Sequence, residues 1–387
     1  MSGIILSSSV RQNLLSLQST ADLLSTTQNR LATGKKVNTA LDNPTNFFTA
    51  QSLDNRASDI NNLLDGIGNG VQVLQAANTG ITSLQKLVDT AKSIANQVLQ
   101  SPTGYTTRST VSSAAAIGGT AANLVDGTTI KSGDTLSIAA SAGQPAFTFT
   151  FGANTSLAQL NTSLSASNLT ASLDSSNKLV ITTTNDAASS TIGAVTYTAG
   201  GGTVTFGAAT APVADAASQS ARAALVTQYN NTISQITTTA QDSSFNGINL
   251  LSGDSLKLTF NETGKSTLSI TGVKFDAAGL GLKSLAAGTD FLDNNSANNV
   301  IASLNSASSS LRSEASTLGS NLSIVQIRQD FSKNLINVLQ TGSSNLTLAD
   351  TNEEAANSQA LSTRQSIAVS ALALANQSQQ SVLQLLR

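Results

Sequence analysis

The chain has 387 residues and a formal net charge of −2, and it contains no His, Cys or Trp. These absences exclude disulfides, Ser-His and Cys-His nucleophiles and nearly all transition-metal sites. The 20 basic residues are spread along the chain, without the basic stripe that nucleic-acid binding requires. Apolar residues make up 40% of the chain but aromatic residues only 4%, which favours long helices with narrow contact seams over a thick globular interior.

The N-terminal segment has a short apolar run, without a preceding basic region or a small-residue cleavage site. It therefore does not match a secretory signal. No apolar stretch approaches the roughly 20 residues that cross a bilayer. We expect a protein without membrane spans, whose export would use another signal.

Apolar residues near the N-terminus alternate in steps of four and three, which predicts a helix with a heptad seam. Gly34 follows at the place of a helix C-cap, and Lys35 and Lys36 suit the negative end of the helix dipole. The seam positions are Val10, Leu14, Leu17, Ala21, Leu24 and Leu31, and the polar residue Gln28 occupies the position between Leu24 and Leu31.

A second and longer helix is predicted after Asn43-Pro44, with the same alternation in two phases. Two successive steps of three separate the phases, as in a coiled-coil stammer. Ser101-Pro102 ends the helix. The apolar positions run from Leu53 through Ala57, Ile60, Leu64, Ile67, Val71 and Leu74, and then from Ala77 through Ile81, Leu84, Val88, Ala91 and Ala95 to Val98.

Residues 103–217, called the insertion below, are rich in Thr, Ser and Gly and poor in charge. Alternating segments at 147–151, 178–182 and 203–206 predict short strands, and 156–164 predicts a helix. The insertion therefore reads as a mainly β domain.

Helical spacing returns at 225–240, and a β-hairpin is predicted from 255–260 and 266–270 around a turn. A helix follows at 300–339, with a break expected at Gly342. The chain ends with an amphipathic helix.

One segment tests the possibility of a phosphate-binding enzyme. Gly264-Lys265-Ser266 matches the end of a P-loop, but Thr259 stands where the first glycine belongs, and a strand pattern follows in place of a helix. We interpret it as a turn between strands. Glu353 and Glu354 are adjacent carboxyl groups, which suit the start of a helix better than a shared proton. We predict no enzyme activity and no catalytic, cofactor-binding or metal-binding residues.

The apolar seams at the two chain ends either form an intramolecular core or also contact partner subunits. Two paired helices with small side chains bury little surface, which favours the second interpretation. The predicted polymerisation or packing seam consists of Val10, Leu14, Leu17, Leu24, Leu31, Leu361, Leu372, Val382 and Leu386.

Four segments resemble conserved motifs of bacterial flagellin. RLATGKKVN at 30–38 is similar to an N-terminal signature, and DGIGNGVQVLQAAN at 65–78 to a rod-helix motif. FNGINLL at 245–251 resembles a motif that precedes the hairpin, and ANQSQQSVLQLL at 375–386 resembles the family's C-terminal ending.

The resemblance implies a mainly α fold with a β insertion, in which long helices from both chain ends pair as antiparallel coiled coils. Residues 1–42 with 348–387 would form the terminal inner-tube domain. Residues 46–102 with 218–341 would form a helical rod domain with the β-hairpin, and 103–217 a solvent-facing, mostly β outer domain. Segments within 130–138 and 156–181 resemble a small β repeat of the family.

The resemblance also implies a structural subunit that polymerises head-to-tail into the hollow extracellular filament used for swimming. Its partners would be further copies of the chain, the flagellar cap, hook-filament junction proteins and the export apparatus or a chaperone. A hook-filament junction protein is the alternative function, and an enzyme or adhesin carried by the insertion is a third interpretation.

Overall fold

The computed structural model describes residues 8–385, apart from the side chains at positions 9, 379 and 382–385. Long helices dominate, and the strands form small sheets. The helices are α1 (Ser8–Thr33), α2 (Pro44–Gln100), α3 (Leu157–Ser165), α4 (Ala216–Asp242), α5 (Asn294–Thr347) and α6 (Thr351–Leu385). The strands are β1 (Tyr105–Thr107), β2 (Thr110–Ser112), β3 (Thr135–Ile138), β4 (Phe147–Thr150), β5 (Leu169–Leu173), β6 (Leu179–Thr183), β7 (Val195–Thr198), β8 (Val213–Ala214), β9 (Ser255–Thr259) and β10 (Thr267–Thr271).

The described residues divide into two compact units. Unit 1 contains the residues up to Asn69, Leu258–Leu268 and those from Ile324 onward, and unit 2 contains Gly70–Lys257 and Ser269–Ser323. This division follows different boundaries from the three domains that the sequence resemblance implies, so that domain scheme stays a prediction.

The first two helices begin and end where local sequence signals place them. Gly34 follows α1 with φ +68°, the left-handed conformation that favours glycine at a helix C-cap. Pro44 is the first residue of α2, where a missing N–H costs nothing. The Oδ1 of Asn43 accepts a hydrogen bond from Asn46 N at 3.0 Å, as an N-cap side chain does.

The apolar stripe of α2 is buried as the heptad pattern predicts. In unit 1, Ala57 and Ile60 pack with Ile336 and Leu339 of α5. In unit 2, the stripe is buried from Leu74 to Val98. No helix within the described part of the chain has an apolar stretch that could cross a membrane.

The expected break at Gly342 is wrong, because α5 continues to Thr347. A glycine inside a helix costs only about 1 kcal/mol relative to alanine, which the rest of a long helix tolerates. The chain turns at 348–350 instead, and α6 begins at Thr351. Asp350 Oδ1 accepts a hydrogen bond from Asn352 N at 2.9 Å at the start of this helix.

The β-hairpin is confirmed, since β9 and β10 pair around a turn. Phe260 N donates to Ser266 O at 2.8 Å, and Gly264 has φ +70°. The P-loop-like residues thus lie in a hairpin turn. A P-loop would require a helix N-terminus after them.

The insertion contains two antiparallel three-stranded sheets, ordered β2-β6-β5 and β4-β3-β7. Helix α3 packs against β5 and carries a capping box, in which Ser156 and Gln159 bond each other's backbone N–H groups. The buried core comprises Val111, Ile117, Leu124, Ile130, Leu136, Ile138, Phe147, Phe151, Leu160, Leu164, Leu169, Ala171, Leu179, Ile181 and Ile192. The predicted helix at 156–164 and the strands at 147–151 and 178–182 are confirmed within a residue or two.

The strand expected at 203–206 is wrong. Thr203 N donates to Thr129 O, whereas Thr205 O accepts from Ala114 N, so neighbouring residues bond to different segments and no ladder forms. Val204 and Phe206 still pack against the core, which explains their alternating pattern.

A buried carboxylate organises the turns of one sheet in the insertion. Asp134 is fully buried and accepts hydrogen bonds from Tyr197 Oη (2.6 Å), Lys131 N (2.8 Å) and Gly200 N (2.5 Å). Burial opposes ionisation, but these hydrogen bonds outweigh it and hold the pKa of the Asp134 carboxyl below its ordinary value.

A buried arginine joins the residues at the base of the insertion. The Arg222 side chain on α4 is fully buried and donates to the carbonyls of Val98 (3.0 Å), Ser101 (3.0 Å), Pro102 (2.7 Å) and Phe291 (2.6 Å). These carbonyls belong to the end of α2 and the segment before α5, where a cation suits the helix C-terminus. Burial lowers the pKa of the guanidinium, which the charge of Asp293 partly offsets.

We predict that Arg222→Met lowers the free energy of unfolding of unit 2 by about 3–5 kcal/mol, because several buried carbonyls lose their donor. Urea denaturation of the monomeric full chain, followed by circular dichroism, measures the change. Arg312→Met is the control, since Arg312 is exposed on α5 and its loss should change stability by no more than about 0.5 kcal/mol. Equal stability of the two variants would contradict the role of Arg222.

Acid should reduce the contribution of Asp134 to the stability of the insertion. Because the folded-state pKa of Asp134 is lowered, its stabilising contribution is complete above the unfolded value of about 4 and is lost as pH falls through the folded value. Asp134→Asn should therefore destabilise the insertion at pH 7 by about 1–3 kcal/mol, and the gap to wild type should narrow in acid.

Hydrogen exchange of the insertion in the full chain, between pH 7 and pH 3, measures this gap after correction for the intrinsic exchange rate. The exposed Asp89 on α2 supplies the control variant Asp89→Asn, which should match wild type. A gap that does not change with pH would contradict the prediction.

Candidate self-association surface

The helices at the two chain ends pack against each other in unit 1. Arg30, in the last turn of α1, places Nη1 3.3 Å from Oε1 of Glu354 in the first turn of α6. Beside this ion pair, Lys36 N, just after α1, donates to Thr347 O, just before α6, at 2.7 Å. The two helices therefore run in opposite directions, while coiled-coil geometry stays a prediction.

The side of α1 that is buried in this pair is partly polar. Thr20 is as buried as Val10, each at 3% exposure, and Thr27 is buried at 7% exposure. Thr20 satisfies its hydroxyl by donating to Ser16 O at 2.8 Å. The pair is thus held partly by residues that contribute little apolar contact area.

The corresponding side of α6 repeats in steps of three and four. Its half-buried positions include Leu361, Ala368, Leu372 and Ala375, and Glu354 is buried at the start of the series. Glu354 accepts a hydrogen bond from Arg30 and so links the two helices. It lies in the first turn of α6, which confirms the interpretation that it suits the start of a helix.

The residues of the predicted seam differ in exposure. Val10 is buried, Leu17, Leu24, Leu361 and Leu372 are half-buried, Leu14 and Leu31 are 42% and 40% exposed, and the Val382 side chain and Leu386 lie outside the described part of the chain. Their contact with partner subunits stays a prediction.

Exposed large apolar side chains are concentrated in unit 1. Of the 17 within the described residues, Val213, Phe245 and Val273 belong to unit 2 and the other 14 belong to unit 1. The unit 1 residues are Leu14, Leu15, Leu23, Leu31, Leu41, Phe48, Ile324, Ile327, Phe331, Val338, Leu348, Ile367, Val369 and Leu374. Such a concentration of exposed apolar groups is typical of an interaction surface.

Helix α5 carries a stripe of such exposed apolar side chains. Ile324, Ile327, Phe331 and Val338 are spaced by three, four and seven residues, and their exposures are 42%, 68%, 56% and 67%. That spacing places them on one helix face, which is separate from the buried face of Ile336. Sequence reasoning missed this stripe because it assigned one seam to each helix.

Within residues 8–385, no three His, Cys, Asp or Glu side chains are arranged to hold a metal ion. Two ion pairs of unit 1 join separate elements, Arg30 with Glu354 and Arg56 Nε with Glu262 Oε1 of the hairpin turn at 2.7 Å, and a third, between Lys333 and Asp330, lies within α5. The arrangement suits packing against other helices.

We predict that Thr27→Val stabilises the α1–α6 pair by about 1 kcal/mol, because a buried methyl group replaces a hydroxyl without changing side-chain shape. Hydrogen exchange of α1 in the monomeric chain should slow about fivefold. Thr26→Val, on the exposed side of the same turn, should not slow exchange. Equal effects of the two substitutions would contradict the burial of Thr27 in the pair.

Comparison with known proteins finds matches at both chain ends. The family model described as the bacterial flagellin N-terminal helical region matches residues 5–136, and that of the C-terminal helical region matches residues 301–386. The two matches occur in chain order and together take in more than half of the chain.

Individual relatives agree with the family models. The chain is 32% identical over 166 residues to flagellin FljM of Caulobacter vibrioides and 31% identical over 166 residues to its flagellin FljK. Each of these matches spans 42% of this chain and 59% of the relative, so the chain matches less than two thirds of their length. Flagellin A of Rhizobium meliloti is 38% identical over 88 residues, 23% of this chain and 22% of the relative.

The family matches cover α1, α2, α6 and most of α5. They agree with the motifs at 30–38, 65–78 and 375–386. The chain belongs to the bacterial flagellin family, whose members are structural proteins of the flagellar filament and not enzymes.

Proposed function

We propose that this chain polymerises head-to-tail into the hollow helical filament of an extracellular bacterial flagellum and so serves swimming motility. The observation that supports this most directly is the placement of apolar residues in unit 1. Helix α1 buries Thr20 and Thr27 within the chain while Leu15 and Leu23 are 66% and 51% exposed. A stable monomer would gain more by the opposite arrangement.

Packing between the helices of different copies would supply the free energy of polymerisation. Isolated helices are marginal in water, and most of their stability comes from packing of an apolar face. The apolar groups of α1, α5 and α6 that stay exposed in one chain are available for packing against further copies. Subunits that contact each other through different faces form an open helical polymer, since such contacts need not close into a ring.

The roles of the domains and the assembly partners are proposed from the resemblance to the flagellin family. The terminal pair would form an inner tube, residues 46–102 with 218–341 a rod, and the insertion the outer, solvent-facing part. Cap, hook-filament junction and export proteins would be partners during assembly. The alternative of a hook-filament junction protein is not favoured, because the relatives that match are flagellins.

The double variant Leu15→Ser/Leu23→Ser tests polymerisation. Both side chains are mainly exposed in the single chain, so the circular dichroism of the monomer should stay unchanged. Elongation on fragments of wild-type filaments, followed by light scattering and electron microscopy, should slow by about tenfold or more if each serine loses roughly 1 kcal/mol or more of burial in the polymer.

The control is Val213→Ser, a comparably exposed apolar residue of unit 2 with 56% exposure. This variant should elongate filaments at the wild-type rate. Normal elongation by the double leucine variant, or a full-length wild-type chain that never extends such fragments, would count against the proposal.

A further inference from the structure

The insertion has an open cleft between β4 and α3 that its own core does not fill. The cleft has a volume of about 400 Å³, within the usual range of small-molecule sites. Its lining includes Phe149, Asn154, Gln159, Thr162 and Ser163, and none of the lining side chains ionises. An occupant would therefore be recognised by shape and neutral hydrogen bonds.

One wall of the cleft is an aromatic ring in a defined orientation. Phe149 of β4 lies between Phe147 and Phe151, the residue that follows the strand, and unlike those two it is only half-buried. Its ring is nearly parallel to that of Phe147, at 6.3 Å and 6°, and meets the Phe151 ring edge-on at 5.2 Å and 85°. These contacts hold the Phe149 ring, which lines the cleft, in one position, so that an occupant would meet an apolar surface already fixed at little further entropic cost.

Amide and hydroxyl groups stand around this ring. The Asn154 amide is exposed, and it forms no hydrogen bond with any described residue. Gln159 uses Oε1 to accept from Ser156 N at 2.9 Å, which leaves its amide NH₂ group to donate elsewhere. Thr162 and Ser163 donate their hydroxyl protons to α3 carbonyls, so their oxygens still accept.

The cleft does not suit an anion, although it lies near the start of α3. Gln159 N already donates to Ser156 Oγ, and Leu157 N donates to Ala121 O. These backbone groups would otherwise attract a phosphate or carboxylate.

We propose that this cleft binds a neutral saccharide, a hexose or N-acetylhexosamine, with the C–H face of one sugar ring against Phe149. A sugar ring combines an apolar face with hydroxyl groups that both donate and accept, which matches an aromatic wall with uncharged amides and hydroxyls. The amides of Asn154 and Gln159 hydrogen-bond the hydroxyl or acetamido groups. This activity belongs to the insertion and does not depend on polymerisation.

The experiment uses the monomeric full chain with N-acetylglucosamine and its trisaccharide as probes. Saturation-transfer NMR should detect both, with a Kd in the millimolar range that is usual for a shallow neutral site. Gln159→Glu and Asn154→Ala should each weaken binding by about tenfold. Gln159→Glu keeps the capping box, because a carboxylate also accepts from Ser156 N, so a loss of binding would not reflect an unfolded α3.

Gln97→Glu, at an exposed position of α2, makes the same charge change away from the cleft and should bind like wild type. The proposal is overturned if neither probe shows saturation transfer at millimolar concentration. It is equally overturned if both cleft variants bind like wild type.

Discussion

A helix that packs against one neighbour covers only part of its circumference, and this limit governs unit 1. Helix α1 turns Thr20 and Thr27 toward the intramolecular contact, while four of its leucines stay at least 40% exposed. Several large side chains that could stabilise a two-helix pair are thus left exposed, although Leu17 and Leu24 are half-buried. Their burial requires surfaces that a single chain does not provide.

Unit 2, in contrast, finds partners for its apolar and polar groups within the chain itself. The insertion encloses its own apolar core, and Asp134 accepts hydrogen bonds from three different residues inside it. Arg222 satisfies carbonyls of separate segments at the base of the insertion. Because buried polar groups cost free energy unless they are paired, the pairing of Asp134 and Arg222 is typical of a region that is stable without partners.

The difference between the units also bears on variation in function. The proposed polymer contacts would constrain the helices of unit 1, because their exposed apolar residues would pack against other copies of the chain. The insertion carries its stability internally, so its surface is free to acquire binding groups. The uncharged cleft beside Phe149 is such a feature, built from strand and helix residues whose other sides complete the core.

The sequence by itself determined the positions of the long helices and of the hairpin. Residues such as Gly34, Asn43 and Pro44 act through their own backbone preferences, and the apolar stripe of α2 repeats over enough turns to be unambiguous. The motifs at both chain ends also identified the family. Local signals were less reliable where tertiary context competes, as at Gly342, which α5 passes without a break, and at 203–206, whose hydrogen bonds go to separate segments.

Only the tertiary structure decided which apolar residues stay exposed and which polar residues are buried. Leu14 and Thr20 are both compatible with a helix, and their burial depends on α6, which lies more than 300 residues away in the chain. The role of Arg222 likewise depends on carbonyls from two distant segments, and the cleft on the packing of α3 beside β4. Helical periodicity is a local property, whereas burial is set by partners that only the folded chain brings together.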